Sequence, residues 1–316
     1  MAALKSRLGF TNTTSFVLFY IFGGILFLFS TLQIRLMDID GFFCKEGNPS
    51  SVPGECYVFQ KPGLMRSGML LHLATFLPAG ALVCFQFIPA LRRPKYIKFH
   101  HVNGYVVLVL SALGTVAALI IESKAMGGIF SNRVGTWTLA TLVTTATVKG
   151  YVSIKNKEIE KHRVWMLRAW FWKSYSRVKA TSIITMRVIL ISLAHIIGQR
   201  SRSMTMSLPC AVIEYLHESF PGTRQNPYPS CAAYVSGENL LQEALVTTNW
   251  DLNDLPGITA ALRVGYAVGG WLGFLTNAIG IEIYVSSFLV FLSLESDGRL
   301  DMENCTCPKT ESLMKG

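Results

Sequence analysis

The chain reads as an all-α integral membrane protein: a polytopic bundle of about six to seven spans, N-terminus cytosolic, with a lumenal loop subdomain before the last span. Three observations predict this. Long apolar stretches recur at Phe16–Arg35, Ser67–Leu91, Val102–Ile121, Gly135–Ile154, Val178–Ile197 and Val264–Leu294, each long enough to cross a hydrocarbon core of roughly 30 Å as a helix. Of the 316 residues 51% are hydrophobic and only 15% charged, against about 25% charged in a soluble domain. The connections alternate between short basic ones and longer, more acidic ones that hold paired cysteines. Helices are the expected form, because lipid offers the backbone no hydrogen-bond partners. The chain divides into a cytosolic segment 1–15, a bundle of five spans over 16–198, a lumenal loop 199–263, a last span 264–294 and a disordered tail 295–316.

Charge sets the orientation. The net charge of +10 suggests nucleic acid at first sight, yet the basic residues cluster at span ends, where the positive-inside rule puts them. Lys5 and Arg7 precede the first span, and Arg92, Arg93, Lys95 and Lys98 follow the second, with no acids among them. The connection after the fourth span carries Lys155, Lys157, Lys161, Arg163, Arg168, Lys173 and Arg177 against Glu158 and Glu160. The opposite connections hold three basic residues against four acids (36–66) and four against six (199–263). The first apolar run is too long for a signal-peptide core and reads as an uncleaved anchor. The partners are therefore lipid and whatever lipid delivers, with no nucleic acid.

The cysteines agree. Cys44 with Cys56, and Cys210 with Cys231, fall on the outer side, an oxidising compartment, and are disulfide candidates. Cys305 and Cys307 fall in the cytosolic tail with too few ligands for a metal, and none is expected. The lumenal loop holds Pro209, Pro221, Pro227, Pro229 and Pro256, so much of it reads as irregular. Short amphipathic helices are expected near Ala211–Ser219 and Glu238–Val246. From Lys161 to Gln199 nothing breaks a helix. His162 and His195 would be about 50 Å apart along it, which predicts that the first third lies in the cytosol or the interface. Trp165, Trp170, Trp172 and Tyr175 there suit either a headgroup anchor or a cap over a pocket.

Ionisable groups at membrane depth mark candidate sites. Glu282 lies well inside the last span, as an un-ionised acid or a carboxylate paired with Arg187. Glu122 closes the third span. His72 and His195 fall near the lumenal face; His100, His101 and His162 fall near the cytosolic one.

Two segments stand out together: KFHHVNGY, Lys98–Tyr105, and KHRVWMLR, Lys161–Arg168, followed by Arg187. Through His101, Gly104, His162, Arg163, Trp165, Met166 and Arg168 the chain resembles a family of membrane proteins from bacteria and fungi long catalogued as a domain of unknown function. The likeness covers roughly Gly68–Gly198, and the second motif is the more specific. In size and layout the chain is similar to fungal members that resemble membrane-bound terpene cyclases of ascofuranone, ascochlorin and macrophorin type pathways. That resemblance implies cyclisation of a prenylated, epoxidised phenolic intermediate, no cofactor, and residence in the endoplasmic reticulum.

Protonation-initiated cyclisation needs a protonated acid, walls that tolerate a carbocation, and exclusion of water. Desolvation favours the protonated form of an acid, which suits Glu282 first, Glu122 second, and leaves His72 as a further catalytic candidate. Aromatic faces stabilise cations, which makes Tyr105, Trp137, Tyr151, Trp271 and Phe274 candidate substrate-binding residues. No Asp-Asp-x-x-Asp run is present, so ionisation of a diphosphate is not indicated. Two rival readings stand. Facing histidine pairs, His72 with His195 and His101 with His162, resemble two-haem electron-transfer proteins of the b561 type, with haem b as the cofactor. A non-enzymatic transporter or subunit is the other.

Overall fold

The structure, a computed structural model, describes residues 2–45, 54–172, 204–219 and 228–303, with side chains in the last helix described through residue 286. The elements run α1 (Ala2–Arg7), α2 (Thr13–Met37), α3 (Leu64–Gln86), α4 (Ile97–Ile121), α5 (Phe130–Lys155), α6 (159–172), β1 (Thr205–Pro209), α7 (Cys210–Ser219), β2 (Glu243–Thr247) and α8 (Leu255–Glu303). Among the described residues four helices are long and apolar enough to cross a membrane: α2, α3, α4 and the Leu255–Ser286 part of α8. The expected span Val178–Ile197 lies outside the described residues.

Threonine, glycine and lysine make α5 less apolar, but it runs the full height of α4. Arg133 at its start reaches Glu122 at the end of α4 (3.0 Å), and Lys155 at its end reaches Tyr105 near the start of α4 (3.4 Å). Its threonine hydroxyls are satisfied locally, Thr136 donating to the Asn132 carbonyl and Thr141 to that of Trp137, both at 2.9 Å, so they do not bar it from lipid.

α3 and α4 form the tightest hairpin, and small residues make it so. A Cβ on Gly68 would meet Ile121 Cγ2 at 2.7 Å, and one on Gly114 would meet Thr75 Oγ1 at 2.7 Å. Ala79, Val83 and Val107 are buried in the same seam. Where lipid tails are as apolar as leucine, close backbone approach and interhelical hydrogen bonds supply the cohesion. One such bond runs from buried Asn103 Nδ2 to the Leu82 carbonyl (3.0 Å).

α6 packs into the bundle on two sides. Its Trp170 is 6% exposed and packs with Ala79, Val83 and Val107 between α3 and α4. Val164 packs with Ile281 and Val285 of α8. Trp170 and Trp172 are thus drawn into helix contacts, and Tyr175 lies outside the described residues.

At the opposite end Cys44 bonds Cys56 and Cys210 bonds Cys231. The second pair belongs to a small two-layer unit: α7 on an antiparallel β1–β2 pair, with Leu208, Ile213, Ala244, Val246 and Ala260 beside the disulfide in its core. The helix expected near Ala211–Ser219 is present as α7. The one expected over Glu238–Val246 is absent; β2 lies there, alternately exposed and buried, with Val246 opposite Met206. That segment is amphipathic at both periods, and a partner strand distant in sequence decides for the sheet. The last helix starts at Leu255, not Val264, and continues through Glu303. The charge at Arg263 does not interrupt it because that side chain is 5% exposed, beneath the lumenal loops.

Candidate functional site

The second motif acts as a clasp at the basic end of the bundle. Arg168 donates from Nε to Glu282 Oε1 (2.7 Å) and from Nη2 to Oε2 (2.6 Å). Its guanidinium lies 4.8 Å from the centroid of the Trp165 ring, and Lys149 Nζ lies 4.5 Å from the same ring. His162 Nδ1 is 2.8 Å from the Gly150 carbonyl oxygen. A carbonyl only accepts, so this nitrogen carries the hydrogen. A Cβ on Gly150 would meet Met166 Cε at 2.7 Å, so a glycine there lets α6 close on α5. His162, Trp165, Met166 and Arg168 thus join α5, α6 and α8. Arg163 instead turns outward to Glu160, at 2.9 and 3.0 Å.

This arrangement overturns the role expected of Glu282. Both its oxygens accept from one guanidinium, which is the geometry of a carboxylate and not of an acid with a proton to give. The side chain is also 45% exposed. Its partner is Arg168; Arg187 lies outside the described residues, as does His195.

Glu122 differs. Its side chain is 7% exposed, and among the described residues only Oε2 is engaged, by Arg133, whose own side chain is 48% exposed. A few residues from that pair a groove opens between the start of α5 and α8, about 440 Å³ in volume, lined by Ile129, Ser131, Val264, Ala267, Val268, Trp271 and Leu272. Trp271 Nε1 donates to Ser131 Oγ (3.0 Å), and Phe274 stands edge-on to the indole at 6.1 Å between centroids. The indole N–H is therefore satisfied and the ring is fixed as a wall.

The other expected site residues scatter. Trp137 is 53% exposed, on the outside of α5. Tyr105 and Tyr151, 51% and 38% exposed, stack edge-on near Lys155 at the basic end and do not line the α5–α8 groove. These three are corrected as substrate-binding candidates. His72 Nδ1 lies 3.3 Å from the Gly114 carbonyl, and its ring stands against Phe76 at 4.8 Å, inside the α3–α4 hairpin. His101 is exposed at the start of α4. Gly104 faces Gln86, whose Nε2 donates to the His100 carbonyl (3.0 Å), but with room for a Cβ (3.6 Å to Oε1).

Sequence reasoning missed Ser131, Arg133 and Lys149. Arg133 carried a readable signal: a tight turn between two spans sets the end of one against the start of the next, and Glu122 and Arg133 are the charges there. Ser131 carried none. Among the described residues no group of three or more His, Cys, Asp or Glu is placed to hold a metal ion.

Residues 69–215 match the model of a family described as "predicted membrane protein (DUF2306)". The match takes in both motifs, Glu122, Arg133 and Ser131, but stops short of α8. No curated protein matches the chain. No solved structure matches it either.

Proposed function

We propose that this protein is a membrane-embedded terpene cyclase that takes a prenylated, epoxide-bearing phenolic guest from the bilayer into the groove between α5 and α8. The observation that carries the reading is the groove itself. Its volume of about 440 Å³ falls within the roughly 300–1,000 Å³ of small-molecule sites. Its lining is apolar except for Ser131. An indole wall at Trp271 suits a developing carbocation. With Glu282 held as a carboxylate, Glu122 is the acid the reading assigns. The assignment rests on its burial, on an Oε1 with no hydrogen-bond partner among the described residues, and on its place a short way along the chain from the groove.

In the proposed step Glu122 gives a proton to the epoxide oxygen. The C–O bond breaks, an alkene of the prenyl chain attacks the carbon left electron-poor, and the ring closes. A proton lost from the cyclised cation returns to the carboxylate. Nothing is oxidised or reduced, and no cofactor enters. The same reading puts the protein in the endoplasmic reticulum membrane.

Membranes bearing the protein, given a farnesylated phenol with a terminal epoxide, test this. The parent should form a cyclised isomer of unchanged mass. Glu122→Gln should lower the rate about 100-fold or more, the scale of general acid catalysis. Conversion by that variant at the parent rate would remove Glu122 from the role.

One observation favours the electron-transfer reading as a second. His162 is anchored through Nδ1 to a backbone carbonyl, as haem and metal-ligating histidines commonly are, which leaves Nε2 as the ligand atom. A Soret band in protein purified from haem-replete cells, lost in His162→Gln, would establish that reading in place of the cyclase.

A further inference from the structure

Arginine and histidine side chains from three elements converge at the basic end, apart from the groove. Arg92 comes from the short turn Pro89–Arg92, His100 and His101 from the first turn of α4, and His162 and Arg163 from the first turn of α6. The charges of Arg92, His101 and His162 all reach His100, whose ring centroid is 6.1 Å from that of His101. Glu160 is the acid beside them, and it is held by Arg163. Arg92 makes no ion pair among the described residues.

Two features separate this cluster from basic residues that only mark a cytosolic loop. Arg92 is exposed, yet protein crowds its guanidinium; that crowding and, next, the charge of Arg163 hold its pKa below the ordinary value. His100 Nδ1 is shielded from solvent and has no hydrogen-bond partner among the described residues, a state that ordinarily costs free energy unless something fills it. The start of α4 adds backbone N–H groups that no side chain caps, and such groups favour an anion.

We infer that Arg92, His100, His101, His162 and Arg163 form a binding site for a phosphate group at the basic end of the bundle. Arg163 is paired with Glu160, whereas the Arg92 fork has no carboxylate partner among the described residues, and the imidazoles beside it offer further N–H donors. A phosphate offers several acceptor oxygens and close to two charges, and it matches arginine geometry. The group can arrive on a phospholipid headgroup of the facing leaflet or on a soluble phosphate. The site does not depend on the groove holding a prenyl chain.

The test uses the full-length protein in detergent. Inorganic pyrophosphate is titrated calorimetrically, and retention of phosphatidic acid against phosphatidylcholine is read by native mass spectrometry. The parent should bind at least one probe saturably. Arg92→Gln with His101→Gln should weaken that binding about tenfold or more, the equivalent of one lost charge-assisted hydrogen bond, while Lys161→Gln, outside the cluster, should not. Pyrophosphate binding lost in the double variant assigns a soluble phosphate; phosphatidic acid retention lost in it assigns a lipid headgroup. Absence of binding to either probe, or binding equal in parent and variant, overturns the proposal. Both substituted side chains are exposed, so the fold should survive; Arg92→Gln alone serves if the pair does not express.

Discussion

The two ends of the bundle are built on different principles. At the lumenal end two disulfides, a strand pair and a soluble-type core hold the chain. Phe43, Phe59 and Ile121 pack beneath Tyr215, and the two disulfide loops meet where Tyr57 lies 5.8 Å from Tyr215. At the basic end no described covalent link joins the helices. There a bidentate ion pair, a cation over an indole and a glycine contact draw α5, α6 and α8 together. Water surrounds the first end, so burial of apolar side chains supplies cohesion there. Between membrane helices apolar burial gains little, so at the second end directional contacts supply the cohesion. Specific motifs accordingly concentrate at the end where packing alone cannot specify an arrangement.

This contrast can be broken most forcefully at the lumenal end. Cys210→Ser with Cys231→Ser opens a loop of sequence separation 21 and should cost about 3 kcal/mol by loop entropy, read as a fall in the midpoint of chemical unfolding. An unchanged midpoint would mean that the strand pair, and not the bond, holds the unit. Next comes Gly127→Ala. Gly127 has φ +82°, and its Cβ would collide with the Arg263 side chain, so strain and overpacking together should cost about 2 kcal/mol. A neutral result would place Arg263 elsewhere.

The basic end should respond less and in a correlated way. Arg168→Met and Glu282→Leu should each destabilise, while the double variant recovers part of the loss, with a coupling of about 1–2 kcal/mol in a double-mutant cycle. Additive effects would show that the clasp is not a unit. The smallest effect is a dependence on pH at the lumenal end. Arg66 donates to Asp40 (2.6 Å) and holds its carboxyl below the usual range. A lowered folded value means that the contribution is complete above the ordinary aspartate value of about 4 and fades as pH falls from there through the folded value. Asp40→Asn should therefore lower the melting profile slightly at neutral pH, converge with the parent in acid, and so flatten the acid side.

Span positions were legible because length and apolarity alone define them: α2 and α4 cover the expected stretches, and α3 covers its own up to Gln86, short of the expected Leu91. The lumenal cysteines were legible from compartment. Which way a span faces was not. Trp137 and Trp271 look alike in sequence, yet one faces outward and the other walls a groove, because lipid and bundle interior are equally apolar and hydrophobicity no longer marks the inside. Glu282 stood out as an ionisable group at depth, but its partner lies 114 residues away, on a helix whose insertion the sequence did not signal. The groove joins Ser131 to Trp271 across a separation of 140 residues, a pairing no local pattern encodes.

The central claim is that an apolar guest lodges between α5 and α8. A farnesyl phenol carrying a photoreactive diazirine, activated in membranes and followed by peptide mapping, tests it most directly. Label within Val264–Leu272 and on Ile129 or Ser131, reduced by unlabelled farnesyl phenol and by Ala267→Trp, is the predicted result. Label spread over outward-facing residues such as Val109 and Val116 of α4, insensitive to competitor, would contradict it.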